Sequence, residues 1–353
     1  MRIGLIASAR FPVREPFAGG LEAHAWSLAR GLLDRGHEVT VFAAPGSDPA
    51  LGVQELEVHT VDISPAARAD VSMSAEWWLQ EHHAYLSLML QLGDQGLDVV
   101  HNNSLHYLPI AMARSLPVPV VTTLHTPPTP WLESAIRTPR GCDVTFAAVS
   151  QHTADAWRHV VPSSTVVRNG VDSRRWHQGP GGGPAVWSGR LVPEKGTHLA
   201  VQAALQAGVP LRLAGPVMDT AYFDDQVRPH LGSTVEYVGH LRTDELVELV
   251  GSASASLVTP CWQEPYGLVV AESMSCGTPV AGFARGALPE LVTAQTARLV
   301  QPDDVPALAI ALLEAVQLDR DEVRAHALAT CSVEAMVDGY EALYAGEIAE
   351  QAA

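Results

Sequence analysis

The sequence predicts an α/β protein of two units, each a parallel sheet covered by helices on both faces. Three observations carry this. Short β-branched apolar runs alternate with amphipathic stretches in both halves, which is the pattern of strand–helix–strand crossovers. The rhythm breaks at residues 179–184, GPGGGP, and then restarts. The chain has 353 residues, enough to bury two cores of ordinary domain size.

The elements follow in order. Residues 2–7 form a short apolar run, followed by a loop with Pro12, Pro16, Gly19 and Gly20. Residues 21–35 place Leu21, Ala25, Leu28, Ala29, Leu32 and Leu33 at helical spacing, and Gly36 closes the helix. Residues 38–44 read as strand. The pattern repeats with strands at 97–101, 118–124 and 144–148, a helix over 105–114, and a helix capped by Ser150. An interdomain linker is expected from about Asp172 through the glycine-rich break. The second half predicts strands at 185–188, 211–214, 235–238, 255–259, 279–283 and 297–300, with helices between them and a final helix over 332–350. The expected division is 1–171, 172–330 and a C-terminal helical segment 331–353.

Composition narrows the function. The net charge of −17, with no run of Lys or Arg, argues against nucleic acid and against docking on an anionic membrane. Cys142, Cys261, Cys276 and Cys331 are far apart and form no C-x-x-C pair, so four reduced thiols are expected rather than a zinc site or disulfide framework. The N-terminal apolar stretch is too short for a signal peptide, and no 18-residue apolar run occurs; a cytoplasmic protein without stable membrane insertion is expected.

Three clusters carry candidate chemistry. Arg190-Leu-Val-Pro-Glu-Lys195-Gly196 follows a predicted strand, and Lys195 is the only lysine in the chain. Arg190 offers a planar fork and Lys195 a point charge to a diphosphate. A helix opening near Gly196 adds N–H groups and a positive dipole end. Two solvated charges at a turn give the same pattern. The second cluster runs from Glu264-Pro-Tyr-Gly267 to Glu272 and on to Gly277. Its two carboxylates could grip sugar and ribose hydroxyls, with free N–H groups over 267–269 meeting a phosphate between them; an amphipathic helix with a solvent Glu fits as well. The third, Gly19-Gly20-Leu-Glu22, lets backbone approach a ligand closely, or is simply a flexible turn. It is not the dinucleotide fingerprint G-x-G-x-x-G. Asp319-Arg-Asp321 has D-x-D spacing but opens a late helix, where acidic caps are ordinary. His82-His83 and His101…His106 lack metal-ligand spacing.

Together these stretches resemble the retaining GT-B glycosyltransferases of family 4, which include glycogen, sucrose-phosphate and mannosyl-transfer enzymes. The likeness covers nearly the whole chain in order: GGLE at 19–22, HTPP from His125, NGVD at 169–172, SGRLVPEKG at 188–196, EPYGLVVAESMSCGTPV at 264–280 and GALPELV at 286–292. The pair Glu264…Glu272, with seven residues between, is the most specific signature.

The resemblance implies two Rossmann-like domains facing across a cleft, with the last helix crossing back to the first. It implies that Arg190 and Lys195 neutralise the donor diphosphate and the leaving nucleotide in place of a metal. Glu272 would hold the ribose and Glu264 the transferred sugar, with Tyr266, Gly267, Leu268 and Val269 beside them. Gly19 and Gly20 would approach the phosphate, His125 would contact the sugar near the reacting carbon, and backbone around Val238, Gly239 and Leu241 would meet the base. The Arg190, Lys195, Glu264 and His125 set is the implied catalytic group. His125 reads equally as a core histidine, and Glu290 as a helix-start residue. The loop at Arg285-Gly286-Ala287 departs from the family's glycine pair, and Trp187 and Trp262 beside the donor motifs could pack in the core or shape the pocket.

The expected reaction moves a hexose from a nucleotide-diphosphate donor, UDP before GDP, to a hydroxyl of a small-molecule or glycan acceptor. It retains configuration and uses neither metal nor cofactor. No carboxylate is left over as nucleophile, which favours front-face attack over double displacement. Domain closure would exclude water. The rival readings are a nucleotide-sugar epimerase of the same architecture, a silent nucleotide-sugar-binding protein, and an oxidoreductase, the last disfavoured by the missing fingerprint.

Overall fold

A computed structural model describes residues 1–58, 61–139 and 141–352. The chain divides into two compact units. One comprises Met1–Val149, Ala154–Val167 and Val337–Ala353; the other comprises Ser150–Thr153 and Arg168–Met336.

The first unit holds a seven-stranded sheet: β1 Arg2–Ile6, β2 Glu38–Ala43, β3 Val53–Glu55, β4 Val99–Asn102, β5 Val120–Leu124, β6 Thr145–Ala148 and β7 Thr165–Val166. Their order is β3-β2-β1-β4-β5-β6-β7, and every pairing is parallel. The central strands are buried on both faces, as crossover helices require. The Gly20–Asp34 helix buries Ala25, Leu28, Ala29 and Leu32 as its spacing predicts.

The second unit holds six parallel strands: β8 Ala185–Ser188, β9 Leu211–Ala214, β10 Val235–Gly239, β11 Ser256–Val258, β12 Val280–Phe283 and β13 Ala297–Val300. Their order is β10-β9-β8-β11-β12-β13. Its core packs Leu211, Leu213, Leu257, Phe283, Leu308 and Leu312 around Trp187, which is 2% exposed. Trp187 is therefore a core residue, with its indole N–H donating to Thr259 Oγ1 at 3.2 Å.

Two sequence expectations change, and one helix is additional. Residues 105–114 do not make one helix. The Asn102 side chain accepts from the Ser104 N–H and hydroxyl and holds a turn, so only Leu108–Ala111 and a 3-10 turn at Ala113–Ser115 are helical. The 16-residue Glu76–Gln91 helix was not anticipated; its buried positions, Ala84, Tyr85, Leu88 and Met89, lie in its C-terminal half.

The glycine-rich break is not an interdomain linker. It lies inside the second unit, where Gly179, Gly181 and Gly183 donate to Cys276, Gly251 and Ser252 carbonyls. A Cβ on Gly179 would sit 2.4 Å from Gly251 backbone, so this glycine serves close approach rather than flexibility. The partly buried Arg320 guanidinium donates to the Ala253, Gly251 and Cys276 carbonyls and clamps the same region. The C-terminal helix, Val333–Ala352, belongs to the first unit from Val337 onward. There Tyr344 Oη meets His101 Nδ1 at 2.7 Å, and Tyr340 Oη meets Thr123 Oγ1 at 3.0 Å.

Candidate functional site

In the second unit β8 lies between β9 and β11, so the chain leaves its two neighbours toward opposite sides of the sheet. The carboxyl edge at such a reversal is where open α/β sheets form a crevice. The loops after β8 and β11 bring the two main sequence clusters to this edge.

After β8 the chain runs through Arg190 into a 3-10 turn at Pro193–Lys195 and then the Thr197–Ala207 helix, with Gly196 as its N-cap at φ 65°. A Cβ there would sit 2.0 Å from the Thr259 carbonyl oxygen. Glycine is needed both for the left-handed backbone and for the contact. Thr259, after β11, donates its hydroxyl to the Gly196 carbonyl at 2.9 Å, and the Cys261 N–H donates to the Glu194 carbonyl at 2.8 Å. The two loops are thus tied by one side-chain and one backbone hydrogen bond.

That tie sets the main side-chain contact. Lys195 Nζ lies 2.7 Å from Glu264 Oε2. The Trp262 indole N–H donates to the same oxygen at 2.9 Å, and Lys195 Nζ stands 5.1 Å from the centre of the Trp262 ring. The lysine, expected on a diphosphate, and the carboxylate, expected on a sugar, are paired with each other here. Arg190 stays about a third exposed, 3.8 Å from Glu194.

Gly267, at φ 96°, turns the chain into the Leu268–Ser275 helix without a side-chain cap. The Val270 N–H donates to the Gly267 carbonyl at 2.9 Å, and the first N–H groups of a helix have no i−4 partner within it. Glu272 makes no side-chain hydrogen bond or ion pair among the described residues. Its surroundings bury it enough to push its carboxyl up to about 8, although part of its surface remains accessible. Tyr266 departs from the expectation: its ring is buried and its hydroxyl donates to the Asn169 carbonyl at 2.7 Å, so its side chain faces the core.

The Arg285-Gly286-Ala287 loop keeps its glycine where geometry needs one. Gly286 has φ 65°, and a Cβ would lie 2.2 Å from Glu264 O; the Ala287 N–H donates to that oxygen at 2.8 Å. Arg285 bridges the Pro260 carbonyl and Asp303. Glu290 accepts from the Gln151 and His152 N–H groups at 2.9 and 2.5 Å, capping the Gln151–Trp157 helix rather than its own. Asp319 likewise caps, accepting from the Asp321 and Glu322 N–H groups.

At the other side of the edge, Val238, Gly239 and Leu241 are partly exposed at and just after the end of β10. The sequence reading missed a feature here. A glycine ends or follows each of β8, β9 and β10: Gly189, Gly215 and Gly239, with φ 151°, 138° and 93°. Gly189 N–H donates to Ala214 O and Gly215 N–H to Gly239 O. The strand–glycine repeat was visible in the sequence. Trp262 was noted there but given no role, because nothing local shows which way an indole points.

In the first unit, Gly19 is the N-cap of the Gly20–Asp34 helix with no side-chain cap. His125 lies just past β5, with Nε2 2.9 Å from Asn103 Oδ1 and its ring 4.8 Å from that of His24. Burial holds both imidazoles below their usual range, His24 at about 4, so both are neutral. His24 is 1% exposed, with the Asn103 side chain as its polar neighbour.

Comparison with known proteins agrees with this layout. Residues 18–175 match the model of Glycosyltransferase Family 4, and residues 184–317 that of Glycosyl transferases group 1. Glycogen synthase of Mycobacterium tuberculosis is 30% identical over 338 residues, covering 83% of this chain and 81% of its own. Among solved structures, AviGT4, a glycosyltransferase involved in avilamycin A biosynthesis, is 25% identical with a TM-score of 0.72, covering 99% of this chain and 98% of its own. Anabaena HepE, solved in complex with UDP-glucose, has a TM-score of 0.75 at 18% identity, with coverage of 98% and 100%. No helix among the described residues is long and apolar enough to cross a membrane. The chain belongs to family 4 of the GT-B glycosyltransferases.

Proposed function

We propose that this glycosyltransferase moves a hexose from a nucleotide-diphosphate donor, UDP before GDP, to a hydroxyl of a glycan or small-molecule acceptor, with retention and without a metal. The observation that carries the reading is the Lys195–Glu264 contact of 2.7 Å at the carboxyl edge of the second sheet; Glu272, in the helix that follows Glu264, has no side-chain partner among the described residues. A diphosphate placed there meets Lys195, Arg190 and the first-turn N–H groups after Gly267. When it engages Lys195, Glu264 becomes available to the hydroxyls of the transferred sugar. Glu272 accepts from the ribose. The base lies along Val238, Gly239 and Leu241, where glycine leaves room for close approach. The HepE complex with UDP-glucose supports uridine as first choice.

In the reaction the glycosidic C–O bond to the phosphate breaks and the acceptor oxygen bonds the same carbon from the same face. The acceptor proton passes to the departing phosphate oxygen. Lys195 and Arg190 stabilise the charge that grows on that oxygen, an electrostatic contribution that water could not match. Glu264 positions the sugar, which leaves no carboxylate for a covalent intermediate. We assign the acceptor to the first unit.

The test is a melting-point titration with UDP, GDP and ADP in EDTA, on wild type and Glu272→Ala, followed by NMR of the product's anomeric configuration. A shift with UDP that the variant loses and EDTA leaves intact is expected, because ligands of the folded state raise its melting point. No shift with any nucleotide, or a product of inverted configuration, would overturn the reading. Nucleotide release without acceptor, accompanied by an epimerised sugar, would turn it to an epimerase.

A further inference from the structure

The donor chemistry leaves unused an aromatic cluster in the first unit. The Glu76–Gln91 helix presents Trp78, His82 and Tyr85 at i, i+4 and i+7, on one face. Tyr85 stacks on His106 at 4.5 Å, His106 on Tyr107 at 5.0 Å and Tyr107 on Trp131 at 5.7 Å. Trp131 meets Trp78 at 5.9 Å, and Trp78 stacks on His82 at 5.2 Å. The cluster grades from Tyr85, 1% exposed, to Trp131, 53% exposed.

Its place in the fold points to a ligand. The Tyr85 hydroxyl donates to Ala7 O and accepts from Ala9 N–H, just past β1. His106 and Tyr107 follow β4, and Trp131 opens the Pro130–Ile136 helix after β5. The rings therefore gather at the carboxyl edge of the first sheet, beside β1 and β4, where strand order reverses. The polar groups in the stack are uncharged. Burial lowers the His82 and His106 imidazoles, His106 to about 4. Arg10, whose charge acts on His106, is paired with Glu81 at 3.1 Å. Leu108 N–H donates to His106 Nδ1 at 3.2 Å, which fixes the proton on His106 Nε2. Neither that N–H nor His82 Nε2 has a hydrogen-bond partner among the described residues.

We propose that this shelf is the acceptor subsite and takes an uncharged glycosyl unit, its C–H face stacked on Trp131, Trp78 and Tyr107 and its hydroxyls bonded to His82 Nε2 and His106 Nε2–H. The inference rests on the transferase reading. Ring faces carry the negative end of the aromatic quadrupole, complementary to the slightly positive C–H groups of a pyranose face. An electroneutral shelf gives no counter-ion to a phosphorylated or carboxylated acceptor. A wholly apolar acceptor would strip water from two imidazole nitrogens and leave them unpaired, which costs binding energy.

The test is saturation-transfer NMR on the full chain with the methyl α-pyranosides of glucose, mannose and galactose, and separately with 4-methylumbelliferone as an aromatic probe. At least one glycoside should bind wild type and bind about tenfold more weakly to Trp131→Ala and Trp78→Ala, the scale of a lost aromatic contact. Trp131→Phe should recover most of the loss. Leu90→Ala, on the same helix and 68% exposed, should match wild type. Binding of methylumbelliferone alone, no glycoside binding at all, or glycoside binding indifferent to both tryptophan changes would each overturn the proposal. A UDP melting shift is measured on the same samples. Its absence beside intact glycoside binding would mean that the donor reading has failed and the shelf has not.

Discussion

Lys195 Nζ sits 2.7 Å from Glu264 Oε2, so the chain's only lysine is held by a carboxylate. The two come from loops after different strands, β8 and β11, joined by the Thr259 hydroxyl on Gly196 O and the Cys261 N–H on Glu194 O. The pair is therefore set by the fold rather than by flexible side chains meeting at a surface. Side-chain exposures of 23% and 13% leave it reachable by a ligand.

Lys195→Ala should lower kcat/KM about 10²–10³-fold, the usual cost of one preorganised group acting on transition-state charge. Stability should change little, since a partly exposed ion pair contributes about 1 kcal/mol or less. Initial rates of nucleotide release and a thermal melt check the two halves. A collapse in melting temperature matching the loss of rate would make Lys195 structural.

Glu264→Gln should separate binding from transfer. It removes the carboxylate that competes with phosphate for Lys195 and retains an amide oxygen for the Trp262 N–H. UDP should bind about threefold to tenfold more tightly, the size of a released exposed ion pair, while sugar transfer falls. Calorimetric titration of UDP against wild type decides. Weaker UDP binding would mean that Glu264 helps the nucleotide rather than restraining the lysine.

Gly286→Ala should abolish most transfer through Glu264. A Cβ at Gly286 would lie 2.2 Å from Glu264 O and 2.3 Å from its N, so the loop carrying Glu264 must move. Gly208→Ala is the control: its φ of 66° is the same, but nothing lies within 4 Å. Both variants should lose about 1–2 kcal/mol to left-handed backbone strain, and only Gly286→Ala should lose transfer. Equal activities in the two would show that the loop tolerates displacement.

Much of this was legible in sequence because it is local. Strand–helix alternation, the glycines that open the Thr197 and Leu268 helices and the spacing from Glu264 to Glu272 are all properties of short windows. What the sequence hid is long-range. The GPGGGP stretch reads as a linker until Gly251 is known to press on Gly179. Tyr266 sits in the motif, yet its hydroxyl is committed to Asn169. Trp187 and Trp262 look alike beside their motifs, and only the tertiary contacts send one to the core and the other to Glu264. The ring shelf escaped because its members are scattered from Trp78 to Trp131 and meet only through the sheet.

Glu272 gives a pH dependence of stability with a definite sign. Burial raises its carboxyl from 4.5 to about 8, so the folded state holds the proton more tightly than the unfolded chain does. The stabilisation from that proton is complete below the unfolded value and is lost as pH rises through the folded one. Wild type should therefore fall in stability between about pH 5 and about pH 8.5 relative to Glu272→Gln, which is neutral throughout. The shift would convert to several kcal/mol for a sealed carboxyl, but this one keeps an accessible edge, so about 2 kcal/mol is the expected size. Melting curves of both proteins across this range, without nucleotide, check it. The variant's advantage should grow with pH; an advantage that is constant, or that shrinks, would show that Glu272 ionises freely.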